Sequence, residues 1–230
     1  MEPDPQINEA NDTQCEELAM LDVHPPHLSV HTWRDFLIHI ATITIGLLIA
    51  IGLEQIVEAV HHRHLRQEGQ ESLRREVSEN ETTLRRDLQS LQRQRMMLER
   101  NIQILHQLGT HQKASAGALD FSWQWSSMQD AAWQTARDTA TLALFPSERV
   151  EEYNSVYVQQ AIVNEGGVAL IRDLTNAGVP LRLQPDVAAL TAAQIDELAR
   201  GSAVGLNQIE YIEALANTLA GDYERILSVR

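Results

Sequence analysis

Residues Phe36–Leu53 read FLIHIATITIGLLIAIGL: eighteen positions with one ionisable ring, His39, and no formal charge. At 1.5 Å per residue such a helix is about 27 Å long, close to the hydrocarbon thickness of a bilayer. Trp33 and Arg34 lie just before it, where an amphipathic ring and a snorkelling cation belong. The residues expected to carry the anchor are Trp33, Arg34, Phe36, Ile45, Gly46, Ala50 and Leu53. A core helix of a soluble protein is the alternative, but a helix of that kind shows a polar stripe and this one does not. A cleaved signal peptide fits poorly. The preceding region is long and acidic, and no small-x-small site lies between Leu53 and Glu54. The expectation is one anchor, since Ile209–Val229, the next apolar stretch, carries Glu210, Glu213, Asp222, Glu224 and Arg225.

Beyond the span the pattern is helical throughout. Val77, Leu84, Leu91, Leu98 and Leu105 recur every seven residues. Three residues before each stand Arg74, Glu81, Leu88, Arg95 and Ile102, a partner line that is only partly apolar. This predicts an amphipathic helix sustained over 56–108, either the first helix of a bundle or a membrane-proximal coiled coil, with the polar partner line favouring the bundle. Residues 109–119 have loop composition. A second helix is expected over Ser127–Leu144. Ser147 then reads as an N-cap for a helix running to about Thr175, softened at Gly166 and Gly167. Residues 176–185 read as a loop. Thr191 and Gln194 form a capping box for the last helix. Its two ladders are Ile195, Ser202, Ile209, Ala216, Tyr223 and Leu198, Gly205, Ile212, Leu219, Ile226. The only alternating stretch, Phe121–Trp125, is too short to build a sheet. The fold class expected is all-α: a transmembrane helix over 33–55 continuing into the long helix 56–108, then a helical region 120–230 packing on it as a bundle.

The chain has 230 residues and a net charge of −14. That sign disfavours a broadly basic nucleic-acid binder. A single cysteine, Cys15, excludes a disulfide scaffold. Residues 1–32 are acidic, broken by four prolines and poor in large apolar side chains, so a mostly disordered tail is expected there. Nine arginines fall within 63–100. Near the span, Arg63, Arg66, Arg74 and Arg75 on the C-terminal side outnumber Arg34 on the other, which favours a cytoplasmic C-terminal domain; export of a large domain behind one anchor is the competing topology.

Three stretches resemble a known group of proteins: His31-Thr-Trp-Arg-Asp-Phe-Leu37, Ile43–Gln55 ending in Glu54-Gln55, and Glu76-Val-Ser-Glu-Asn80. Trp133–Ala136 and the Tyr153/Tyr157 pair add weaker likeness. These features are similar to a group of uncharacterised single-pass bacterial inner-membrane proteins. The resemblance implies a bacterial inner-membrane location and supplies no catalytic residues and no cofactor.

Candidate chemistry is sparse. Glu58 meets His61 and His62 at i+3 and i+4, a spacing that can bind zinc or iron. A di-iron bundle would need a second Glu-x-x-His pair and two more carboxylates, so polar residues marking the end of the span are the simpler reading. His24, His27 and His31 lie in the tail. Trp123, Trp125 and Trp133 either line a pocket or plug a bundle end. No nucleophile motif or phosphate loop is present. An enzyme is therefore not expected. The expected partners are the lipid bilayer and a second copy or another membrane protein, with Thr42, Gly46 and Ala50 as a small-residue contact line. A ligand-binding sensory bundle is the alternative, and a metal-dependent enzyme the weaker one.

Overall fold

A computed structural model describes residues 32–110 and 118–228. The acidic tail with Cys15, His24, His27 and His31, and most of the 109–119 loop, lie outside the described residues. The elements are α1 (Trp33–Gly109), α2 (Ala131–Asp138), a 3-10 turn (Thr141–Leu144), α3 (Ser147–Ala177), α4 (Val179–Leu183), a second 3-10 turn (Val187–Ala189) and α5 (Ala192–Ser228). No strand occurs among the described residues. The chain divides into two compact units, one ending at Gln55 and one beginning at Ile56.

In the first unit α1 begins at a polar cap. Asp35 N–H donates to Thr32 Oγ1 (3.4 Å), and the Thr32 hydroxyl donates to Asp35 Oδ2 (2.7 Å). Every large apolar side chain from Phe36 to Leu53 is exposed. This helix is long and apolar enough to cross a membrane.

In the second unit the seven-residue ladder of α1 is fully buried, as are the two ladders of α5 apart from half-buried Ile195. One core cluster joins Leu73, Val77 and Leu84 to Tyr153, Val156, Tyr157, Val163, Ala216 and Tyr223. The other joins Leu91, Leu98 and Leu105 to Leu170, Leu174, Leu198, Ile209 and Ile212. The ladder thus packs inside one chain, on α3 and α5. The second line of α1 is corrected. Arg74, Glu81, Leu88, Arg95 and Ile102 are only half-buried flanks. The buried line lies three residues after each of the first four ladder positions instead: Asn80, Asp87, Gln94 and Asn101, all polar.

The capping box of α5 forms as expected, with Thr191 N–H donating to Gln194 Oε1 (2.9 Å) and Gln194 N–H to Thr191 Oγ1 (3.3 Å). Three boundaries differ from expectation. Ser147 is already helical, preceded by Pro146, and makes no capping bond. The expected helix Ser127–Leu144 is cut to α2 and a 3-10 turn, because 127–130 is not helical, its main chain bonding to Asn80 and Asn164 instead, and Ala140 at φ 55° turns the chain left-handed. Within 176–185, Pro180 opens the short helix α4.

The two glycines of α3 do not soften it; they admit neighbours. A Cβ at Gly166 would lie 3.1 Å from Ile212 of α5, and one at Gly167 would lie 2.1 Å from the Trp125 indole.

Candidate functional site

The feature that organises the second unit is a groove between α1 and α3 holding the non-helical segment 118–130. Its floor is the polar line of α1. Asn101 donates from Nδ2 to Asp120 O (2.7 Å) and accepts from Asp120 N–H at Oδ1 (3.2 Å). Asp87 Oδ1 accepts from Ser126 N–H (3.3 Å). Asn80 donates to Gln129 O (2.6 Å) and accepts from Gln129 N–H (2.8 Å). A carboxamide bound both ways to one residue copies the pairing that a neighbouring strand would offer.

The register has a simple physical basis. Seven helical residues rise about 10.5 Å, and three extended residues span about 10 Å. Rungs seven apart on α1 therefore meet residues three apart on the segment, running antiparallel. Gln94 falls in line with Trp123, but Gln94 Nε2 and Trp123 Nε1 are both buried without a hydrogen-bond partner.

Helix α3 grips the other side. Asn164 donates to Met128 O (3.0 Å) and accepts from Met128 N–H (3.1 Å) and Trp125 Nε1 (3.3 Å). Gln160 donates to Gln129 O (2.8 Å) and accepts from Asn80 (3.0 Å) and from the Tyr223 hydroxyl (2.5 Å). Glu76 of α1 receives the start of α2. Its oxygens accept from Ala132 N–H (2.8 Å), Trp133 N–H (3.4 Å) and the Tyr157 hydroxyl (2.7 Å). A carboxylate from a distant helix thus caps α2, a role that Asp130 does not fill. Burial, and then the bond to Glu76, push the Tyr157 phenol well above its ordinary range. Burial, with the Glu76 charge, does the same to Tyr223, so both remain neutral donors.

Asp87 is the strained member. It is 4% exposed, and its Oδ2 has no partner. Burial pushes its carboxyl up to about 6, against lowering by Ser126 N–H and Arg86. Between its ordinary value and about 6 the folded chain holds a proton that the unfolded chain releases, so this group costs stability as pH rises through that window. Asp87→Asn should stabilise the bundle at pH 7 by about 2 kcal/mol, and the gain should vanish near pH 4. Urea unfolding of the full chain in detergent across that range measures it. A constant difference at every pH would show that Asp87 is not the titrating group.

The residues expected from sequence sit as follows. Glu58 and His62 approach to 3.9 Å, and the His61 and His62 rings lie 6.4 Å apart, all exposed. No group of three or more metal-binding side chains forms among the described residues. Trp33 and Phe36 stack at 5.4 Å. Arg34, Ile45, Gly46, Ala50 and Leu53 are exposed along α1, and a Cβ at Gly46 would meet nothing within 4 Å. The Thr42 hydroxyl is used within its own helix, donating to Ile38 O (2.8 Å). Of the tryptophans, Trp125 packs in the core on Gly167, and Trp133, stacked on Tyr157 at 5.2 Å, belongs to the core and also lines a cleft. Beside that stack an open cleft of about 400 Å³ is walled by Gln134, Arg137, Asn154 and Val158.

The groove residues Asn80, Asp87, Gln94 and Asn101 went unrecognised in the sequence. Their recurrence at seven was visible, but they are polar, and a periodicity built on apolar residues passes over them. Compared with protein-family models, curated proteins and solved structures, the chain matches none of them.

Proposed function

We propose that this chain is a membrane-anchored interaction protein of the bacterial inner membrane, with its helical bundle on the cytoplasmic side, acting by association with a second copy or with another membrane protein. The observation that carries the reading is the exposure of every large apolar side chain from Phe36 to Leu53, on the same helix whose later turns line the bundle core. Apolar surface of this extent is stable only in lipid or against another apolar helix. The excess of Arg63, Arg66, Arg74 and Arg75 over Arg34 supports the orientation. The open line at Gly46 supports close approach of a second helix.

The test uses the full chain in bacterial membranes. It should resist alkaline extraction. A reporter active only in the periplasm, fused after Arg230, should stay silent. Membrane crosslinking should give a discrete adduct. Extraction at alkaline pH would refute the anchor, reporter activity the orientation, and absence of any adduct the association. A ligand-binding bundle is the second reading, favoured by the cleft of about 400 Å³ beside Trp133 and Tyr157.

A further inference from the structure

Just past the span, α1 has two unlike faces. Ile56, Val57 and Val60 are 61%, 70% and 64% exposed, and nothing in the bundle covers them. At 100° per residue they share one side, and Arg63 continues it one turn on; Arg66 lies about 60° further round, at the border with the His62 face, from which its long side chain can still reach the headgroups. Glu58 and His62 stand roughly 160° round from Val60 on the other face.

The two arginines share unengaged guanidinium groups with exposed Arg34, Arg75, Arg137, Arg182 and Arg200, and what sets them apart is their place just past the span, on the Val60 side or at its border. Arg85, Arg95, Arg149, Arg172 and Arg225 each have a carboxylate partner. Among the described residues, exposed Arg63 and Arg66 have no ion-pair or hydrogen-bond partner.

Length adds a further argument. Residues 36–53 span about 27 Å, slightly short of a hydrocarbon layer of about 30 Å. Val60 lies seven residues further, and its side of the helix stays apolar while the Glu58 side does not. A helix with such an asymmetric exit keeps its apolar face in the acyl–headgroup boundary, and long cationic side chains beyond it reach the phosphates.

We propose that Ile56, Val57, Val60, Arg63 and Arg66 form a lipid-docking face. The aliphatic side chains enter the headgroup–acyl boundary, and the two guanidinium groups hold lipid phosphates. The proposal rests on the reading of 36–53 as a membrane span.

The test is spin-label accessibility on the full chain with Cys15→Ser, in vesicles of phosphatidylethanolamine and phosphatidylglycerol. Single labels go at positions 48, 57, 58, 60 and 62. Collision with oxygen reports lipid, and collision with a water-soluble nickel chelate reports water. The oxygen-to-nickel ratio at 57 and 60 should exceed that at 58 and 62 at least fivefold. Arg63→Gln with Arg66→Gln should lower the ratio at 60 at least twofold. Three results overturn the proposal. Nickel-dominated collisions at 57 and 60 place the face in water. Low collision with both reagents, together with spin–spin broadening, places a second copy on it. An unchanged ratio in the double Gln variant removes the phosphate contact. Position 48 separates the two levels: lipid there with water at 60 retains the span and sinks only this face, and water at 48 sinks both.

Discussion

Gly167→Leu should be among the most destabilising single substitutions in the bundle. A Cβ at this position would lie 2.1 Å from one atom of the Trp125 indole and 2.3 Å from another, so the ring must leave. Its departure exposes a large aromatic surface and breaks the Trp125 Nε1 bond to Asn164. Overpacking plus loss of that burial sums to about 3 kcal/mol or more. The expected readout is a lower thermal midpoint together with red-shifted tryptophan emission. Gly221 on α5 supplies the control, because a Cβ there meets nothing within 4 Å. Gly221→Ala should stabilise by about 0.5–1 kcal/mol through helix propensity alone. Equal effects at the two glycines would mean that Trp125 is not seated on α3.

Asn80→Leu separates two accounts of α1. By heptad logic a leucine at position 80 extends the apolar seam and stabilises the helix. By the groove geometry it removes two bonds to the Gln129 main chain and one to Gln160. It then strands part-buried polar groups, each worth about 1–3 kcal/mol. The expected outcome is a loss of about 3 kcal/mol in stability by denaturant unfolding, with faster amide exchange over 126–130. Asn101→Leu should cost less, since Asn101 pairs with Asp120 alone. An Asn80→Leu chain more stable than the unaltered one would show that the segment 118–130 is not held by its main chain.

Features that depend on near neighbours in sequence were legible without coordinates. The apolar run Phe36–Leu53 needs no partner to be recognised, because eighteen consecutive residues without a formal charge and rich in Ile and Leu have few stable environments. The ladders of α5 came through because their partners are apolar as well, and Thr191 and Gln194 cap each other across three residues. The alternation of Phe121, Trp123 and Trp125 was also real. The first is buried and the other two half-buried, while Ser122 and Gln124 are exposed.

The part that periodicity did not reveal is the partner of that alternation. Phe121–Trp125 reads as a strand without a sheet, and the hydrogen bonds of the segment around it go to side-chain amides of two helices. Asn80 finds Gln129 forty-nine positions away, and Glu76 caps a helix that begins fifty-five positions later. A buried polar residue is stable only when its partner is in place. Asn80, Asp87, Gln94 and Asn101 therefore look like surface residues until the segment 118–130 is laid against them. Hydrophobic burial is set mainly by the residue itself, whereas a buried hydrogen bond is set by two residues brought together by the fold.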